Sequence, residues 1–459
     1  MRINTLALIF GLAITFHAGA CSNTSLKKQL EQFTTKNSVG FSALVATNGK
    51  VLCEAAVGNA SIELSVPMKN QHLFEIGSLT KQFTAVAVLL LAQENKLSLN
   101  DDISLYIPEI NSTKGKVTIG HLLAHTSGLV DPINEPEFLA TRVQENISLA
   151  QLITLFKNNN WQYPAGDRVQ YSNVGYSMLA YVIEQVTGQS YSEFLSARIF
   201  KPLGMTHTYQ ASFAVIHNKV TGYTFADTTP RQHDFLNLNW AYGAADIISN
   251  TKDLYRFTQA LMHKQLLNSH YLNLFLSRIT LNDKSQTDGT FNYSLSQIGN
   301  TATITMSGST MGYSSHSIFL PEQDTYIVVL SNSDGINGGS WIPPATVAGK
   351  LAANLLSFPL PDYSAVDVSA QNAQQYLGQY HLEEQVVRTL DYVNDAFIYQ
   401  RNDGPKYEVI PMKDHGFYFK NSLSYFYIKH IGTEQQQMDF YNFLSNQPQV
   451  AKLKKLKVK

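Results

Sequence analysis

Apolar positions are densest between Phe83 and Leu97, where Phe83, Ala87, Leu90 and Leu91 recur at helical spacing and Val86, Val88 and Leu89 fill the remaining sides. A helix apolar nearly all round is expected at the buried centre of a domain. Ahead of it, GFSALVATNGKVLCEAAVGNA sets two apolar runs around Asn48-Gly49, which predicts a β-hairpin. From about residue 100 to 290 the pattern turns helical. GHLLAHTSGL, YSNVGYSMLAYVIEQVTG and TKDLYRFTQALM are each amphipathic, with Gly128 and Gly188 placed to end helices. Strand periodicity returns between about Tyr293 and Asn332, in GSTMGYSSHSIFL and DTYIVVLSN.

Strands at both ends of a helical middle predict an α/β domain whose sheet joins the N- and C-terminal segments. The proline-bearing stretch at 358–371 reads as a linker. Beyond it, short apolar and aromatic runs at turn-length intervals predict a separate antiparallel, barrel-like β domain over 372–459. The aromatic residues of those strands read most simply as its core.

Composition agrees with two folded domains: of 459 residues, 44% are hydrophobic and 15% charged. A net charge of -1 gives no electrostatic reason to expect nucleic acid or an anionic membrane as partner. At the start of the chain, Arg2, an apolar run from Leu6 to Phe16 and Ala18-Gly19-Ala20 form a secretory signal. Residues 1–20 are therefore set apart from the fold, and the mature protein is expected to be exported, periplasmic or secreted. Cys21 also fits a lipoprotein signal, in which its thiol takes the lipid. That modification is the only route to the membrane expected for this chain. One other cysteine is present, Cys53. A bridge between the two is open in an oxidising compartment, but a small buried hydrophobe in a strand is the preferred reading of Cys53.

The core helix opens with a chemical oddity, Ser78 and Lys81 three residues apart and hence on one face. Ser-x-x-Lys is weak alone, since Ser25–Lys28 and Ser249–Lys252 also match, yet neither of those opens a buried helix. A serine hydroxyl needs a partner to take its proton. A lysine serves near neutrality only where about 4.6 kcal/mol disfavours its cation, and burial can supply that.

Further motifs follow in order: FEIGSLTKQFTA, IGHLLAHTSGL, YPAGDRVQYSNVGYSMLAYVIEQVTG, FKPLGM and GYSSHSIFL. With them the chain resembles the serine hydrolases that include class C β-lactamases, penicillin-binding D-alanyl-D-alanine carboxypeptidases and related esterases. The resemblance implies a β-lactamase/transpeptidase-like α/β domain over 21–357, an antiparallel sheet with flanking helices and a helical subdomain. It makes Ser78 the acylated nucleophile, Lys81 and Tyr171 the proton-transfer pair, and Asn173 a substrate-binding partner of Lys81. Which of Lys81 and Tyr171 is the base stays open, because strongly coupled groups titrate as a pair. Ser307, Gly308 and Ser309 align with the family's third motif and would bind substrate, the Ser309 N–H completing an oxyanion hole with that of Ser78.

At that motif relatives carry Lys-Thr-Gly or His-x-Gly, and here Met306 replaces the cation or imidazole. Losing a hydrogen bond to a substrate carboxylate costs about 1.5–3 kcal/mol, which favours esters, or amides without that carboxylate, over penicillins and D-Ala-D-Ala peptides. The expected function is an exported hydrolase of carboxylic esters, D-amino-acid peptides or, less efficiently, β-lactams. The rival is a decayed family member that binds or scaffolds at the cell envelope. A third reading makes the C-terminal domain a peptidoglycan-binding module. His121 and His125 have the spacing of zinc ligands, but Leu122 stands where a metalloprotease has glutamate and no third ligand is evident. They read as structural, and neither metal nor organic cofactor is implied. Glu75, His207 and His316 carry no assigned role.

Overall fold

The computed structural model describes residues 21–454 except 36–37, 111–114, 132–141, 157–160, 212–213, 227–228, 234, 336–341 and 383–384. The segment read as a secretory leader, 1–20, lies outside the described residues. The N-terminal domain is built on a six-stranded antiparallel sheet. Its strands are β1 (Phe41–Thr47), β2 (Lys50–Val57), β3 (Ser294–Ile298), β4 (Thr301–Thr310), β5 (Tyr313–Leu320) and β6 (Thr325–Ser331), in the order β3-β4-β5-β6-β1-β2. N-terminal β1 pairs with C-terminal β6, Leu44 opposite Val328, so the sheet closes over the helical middle as the pattern predicts. Asn48 and Gly49 both take positive φ and form the tight β1–β2 turn.

Every residue of β1 and β6 is buried because both faces of the sheet are covered. On one face Ala43, Val45, Ile327 and Val329 pack with Leu26 and Leu30 of α1 (Asn23–Glu31). A C-terminal helix, 344–355, contributes Val347 and Leu351 to the same cluster. The other face meets the core that holds α2 (Thr80–Gln93), α3 (Asn173–Thr187) and α4 (Thr251–Met262). Thr80 through Ala92 are all buried, which explains why α2 is apolar on every side. The C-terminal helix on the first face is α5 (Pro344–Leu355).

Three expectations change. Ser78 does not lie in the α-helix proper but in a 3₁₀ turn, Gly77–Leu79, that leads into α2. Gly188 ends α3 in the left-handed conformation, but Gly128 ends no helix. The segment before it is helical only over Ile119–Leu123, and Gly128 lies against the carbonyl of Tyr163, leaving no room for a Cβ. Cys53 is buried in β2, yet it is bonded to Cys21. Asn23 at the start of α1 accepts the Glu54 N–H, so the chain's first described residues run beside β2 and bring the two sulfurs together.

The C-terminal half is a closed antiparallel barrel of eight strands: β7 (Gly378–Leu382), β8 (Val386–Val393), β9 (Ala396–Arg401), β10 (Lys406–Met412), β11 (Gly416–Phe419), β12 (Tyr425–Lys429), β13 (Gln437–Tyr441) and β14 (Gln449–Leu453). Tyr380 pairs with Leu453 to close it. Phe397, Phe417, Phe426 and Met438 alternate inward and form its core. The barrel is not a detached unit: Leu423 and Leu444, from its loops, join the sheet-face cluster beside α5.

Candidate active site

Gly77 turns the chain with φ +55 immediately before Ser78. A Cβ on Gly77 would stand 2.4 Å from the Ser309 backbone N, and one on Gly308 would stand 2.8 Å from the Ser78 backbone N. Two glycines thus let the 3₁₀ turn and β4 touch backbone to backbone. β3 pairs only with β4 residues up to Thr305, so the turn takes the place of a neighbouring strand beside Ser307–Ser309. Ser315 Oγ on β5 ties the contact by donating to the Ile76 carbonyl at 2.8 Å.

The four residues expected around the reacting hydroxyl converge. Ser78 Oγ lies 2.5 Å from Tyr171 OH and 3.3 Å from Lys81 Nζ. Lys81 is 1% exposed, and its Nζ also donates to Asn173 Oδ1 at 2.8 Å and to the Ala244 carbonyl at 3.0 Å. Three acceptors match the three hydrogens of an ammonium group. The Nζ stands 4.6 Å from the centroid of the Tyr171 ring. Tyr171 itself is 47% exposed and faces the cavity. Local sequence explains the placement: Ser172 caps α3 by accepting the Gly175 N–H, which puts Tyr171 just outside the helix and Asn173 at its first position.

Other residues hold this arrangement. Asp131 accepts the Asn173 N–H in a short contact. His125 stacks on Tyr171 at 4.6 Å and on Tyr176 at 5.0 Å, and its Nδ1 accepts the Ser172 N–H. Burial, with help from the charge of Lys81, pushes the His125 imidazole down to about 3, so it is neutral. His121 Nδ1 instead accepts the Thr118 N–H in a capping box, so the two histidines have separate structural tasks. Asp246 accepts from Gln210 Nε2 at 2.7 Å and from the Gly243 N–H at 3.1 Å. Burial pushes its carboxyl up to about 7, against the pull of those hydrogen bonds and of Lys81.

Sequence reasoning assigned neither Asp131 nor Asp246 a role. The one available signal for Asp246 is an acid set in the apolar run Ala244-Ala245-Asp246-Ile247-Ile248. Glu75, left without a role, holds Lys219 at 2.6 Å and accepts from Thr310, a structural tie between the 3₁₀ turn's approach and β4.

At the third motif, Met306 is 6% exposed and packs into the helical-side core. Ser307 and Ser309 point the other way and line the cavity with Gly308. Ser307 Oγ lies 2.7 Å from Nδ1 of His316 on β5, whose imidazole burial holds down at about 4. The cavity above Ser78 encloses about 660 Å³. Leu236, Trp240, Ala245, Met311 and Pro343–Ala345 give it apolar walls, and no Lys, Arg or His is among its described lining residues.

A family model described as Beta-lactamase matches residues 26–340. "Protein flp" of Staphylococcus aureus (strain N315) is 30% identical over 327 residues, covering 68% of this chain and 63% of its own length, less than two thirds of that relative. Among solved structures, the octameric penicillin-binding protein homologue from Pyrococcus abyssi superposes with a TM-score of 0.65 at 20% identity, covering 94% of this chain and 99% of that one. The D-amino acid amidase from Ochrobactrum anthropi SV3 reaches 0.60 at 24% identity over 69% of this chain and 92% of that one. At such identities the two structures speak for the fold. The family model covers most of the chain and every motif gathered around Ser78, and the chain belongs to the beta-lactamase family of serine hydrolases.

Proposed function

We propose that the protein is an exported hydrolase that cleaves uncharged esters, or amides without a free carboxylate, through an acyl intermediate on Ser78. The single observation that carries this reading is the apolar cavity over a hydroxyl held between a phenol and a buried amine. Ser78 Oγ attacks the carbonyl carbon, and its proton passes to the oxygen of Tyr171 acting as phenolate, the nearer of the two partners, so that the phenol O–H forms as the Ser78 O–H breaks. Lys81 keeps its three acceptors and stabilises the charge that develops as the alkoxide forms. The backbone N–H groups of Ser78 and Ser309 receive the carbonyl oxygen. Tyr171 returns the proton to the departing alcohol, and water then releases the acid by the reverse path.

Export draws support from the Cys21–Cys53 bond, which belongs to an oxidising compartment. A sulfur in that bond is unavailable for a lipid, which favours a free mature protein over an anchored one. The mass of the purified N-terminal peptide, before and after reduction, checks both points. D-amino-acid amides enter as candidate substrates through the amidase neighbour, and contact with peptidoglycan through the penicillin-binding one.

Hydrolysis assays test the substrate reading. Wild type should turn over p-nitrophenyl acetate at least tenfold more efficiently than nitrocefin, and Ser78→Ala should abolish the ester activity. Equal rates for the two substrates would refute the selectivity. Met306 keeps the binding-protein alternative in view, and failure to hydrolyse any ester, amide or β-lactam would favour it.

A further inference from the structure

A second cavity, larger than the one over Ser78, lies in the C-terminal barrel. About 870 Å³ open at one mouth of the C-terminal barrel. The opposite end is stoppered by the short helix Ala370–Ala373 and the turn after it, whose Tyr376 packs against Phe397 and Phe417. Eight strands leave an interior that side chains just fill or that holds one small ligand. Here the core rings fill the stoppered half, while the inward positions nearer the mouth carry Tyr399, Phe419 and Phe440 around an open space.

Arg388 stands in that space, 2% exposed, on the same inward face of β8 as the core residue Leu390. Its guanidinium donates to Tyr399 OH at 2.5 Å and to Gln449 Oε1, and its Cζ lies 4.0 Å from the centroid of the Phe440 ring. All of these partners are neutral. The Arg388 Nε has no acceptor, and no carboxylate pairs with the guanidinium among the described residues. A buried cation is normally paired, because its desolvation is costly. The mouth adds Arg401, Lys406 and Lys420 against one carboxylate, Glu408. The site is therefore cationic, deep and flanked by aromatic rings.

We propose that the barrel mouth binds an organic carboxylate: its head on the free Nε edge of Arg388, its apolar body against Phe419, Phe440 and Tyr399. The guanidinium edge matches a planar carboxylate in two parallel hydrogen bonds. Aromatic walls give an apolar body a place out of water, in a volume within the range of small-molecule sites. The site borders the catalytic half. Asn421 lines the mouth, and its carbonyl accepts from Thr346 Oγ1 in the first turn of α5, while the preceding Ala345 lines the cavity over Ser78.

Calorimetric titration of the full chain tests this with three probes: octanoate, octanol (the body without the charge) and inorganic phosphate (an anion without the body). Octanoate should bind saturably, one per chain, and equally well to wild type and to Ser78→Ala. Octanol and phosphate should each bind at least tenfold more weakly. Arg388→Met should weaken octanoate at least tenfold while melting no lower than wild type, because it removes an uncompensated buried charge. No saturable octanoate binding, or unchanged affinity in a folded Arg388→Met, overturns the proposal. Phosphate binding as tight as octanoate would likewise overturn the amphiphile and leave a bare oxyanion site. Should Arg388→Met not fold, photolysis of a diazirine-bearing fatty acid on wild type decides the matter. Label on the peptides around Tyr399, Phe419 or Phe440 supports the site, and label elsewhere or none refutes it.

Discussion

Lys81 carries an amine held in the core by three oxygen acceptors, and the proposed chemistry depends on those contacts persisting while Ser78 loses its proton. Tyr171→Phe removes the nearer proton partner but keeps the ring that His125 and Lys81 pack against. It should lower kcat on p-nitrophenyl acetate by about 10²–10⁴-fold with an unchanged melting temperature; a kcat within threefold of wild type would remove Tyr171 from the mechanism. Met306→Lys, with the stem along the core and the amine toward the site, should raise nitrocefin reactivity by about one to two decades. No change would count against the role given to that position. Asp246 supplies a pH test. Its carboxyl titrates near 7 in the folded protein against an ordinary 3.8, so the unfolded chain releases its proton first. The native state is thus penalised progressively as pH rises from 3.8 to about 7, by a constant amount above that, and not at all below. Asp246→Asn should match wild-type stability near pH 4, exceed it increasingly up to about pH 7 and by a constant margin above that, as read from denaturant unfolding at each pH. Parallel curves would contradict the assignment. Ser78, Lys81, Tyr171 and Asn173 were legible because short fixed spacings carry them. Asp131 and Asp246 were not, because their side chains meet partners distant in the chain, Asn173 for one and Gln210 for the other.

Among the elements, α2 and the β1–β2 hairpin could be read directly, one from apolar residues on all sides and the other from Asn48-Gly49. The 3₁₀ turn at Ser78 could not, since it exists to fit against β4, a strand more than two hundred residues later. The same holds for the Cys21–Cys53 bond. A buried cysteine in a strand looks alike whether or not a second sulfur approaches, and only α1 lying along β2 decides it. The bond closes a separation of 32 residues. Cys53→Ser should therefore cost about 2–4 kcal/mol of unfolding free energy, and reducing agent should bring wild type to the same level. Equal stability of oxidised, reduced and mutant protein would show that the packing of Leu26 and Leu30 and the Asn23–Glu54 hydrogen bond hold α1 without the bond.

At the scale of the whole molecule, strand–helix–strand order gave the α/β domain and the spacing of short aromatic runs gave the barrel, but not how the two meet. Leu423 and Leu444 place barrel loops in the core of the N-terminal domain, and α5 lines the cavity over Ser78 with Pro344 and Ala345 while its Thr346 donates to the Asn421 carbonyl at the barrel mouth. Nothing local in the sequence marks such a contact, because loop leucines are ordinary. The whole account rests on one alcohol being primed for attack, so the most direct measurement is chemical. Incubate the purified full-length protein with a fluorophosphonate and map the adduct by peptide mass spectrometry. The account predicts one label per chain, on the peptide that contains Ser78, lost in Ser78→Ala and slowed in Tyr171→Phe. An unlabelled protein, or a label that survives Ser78→Ala, would contradict it.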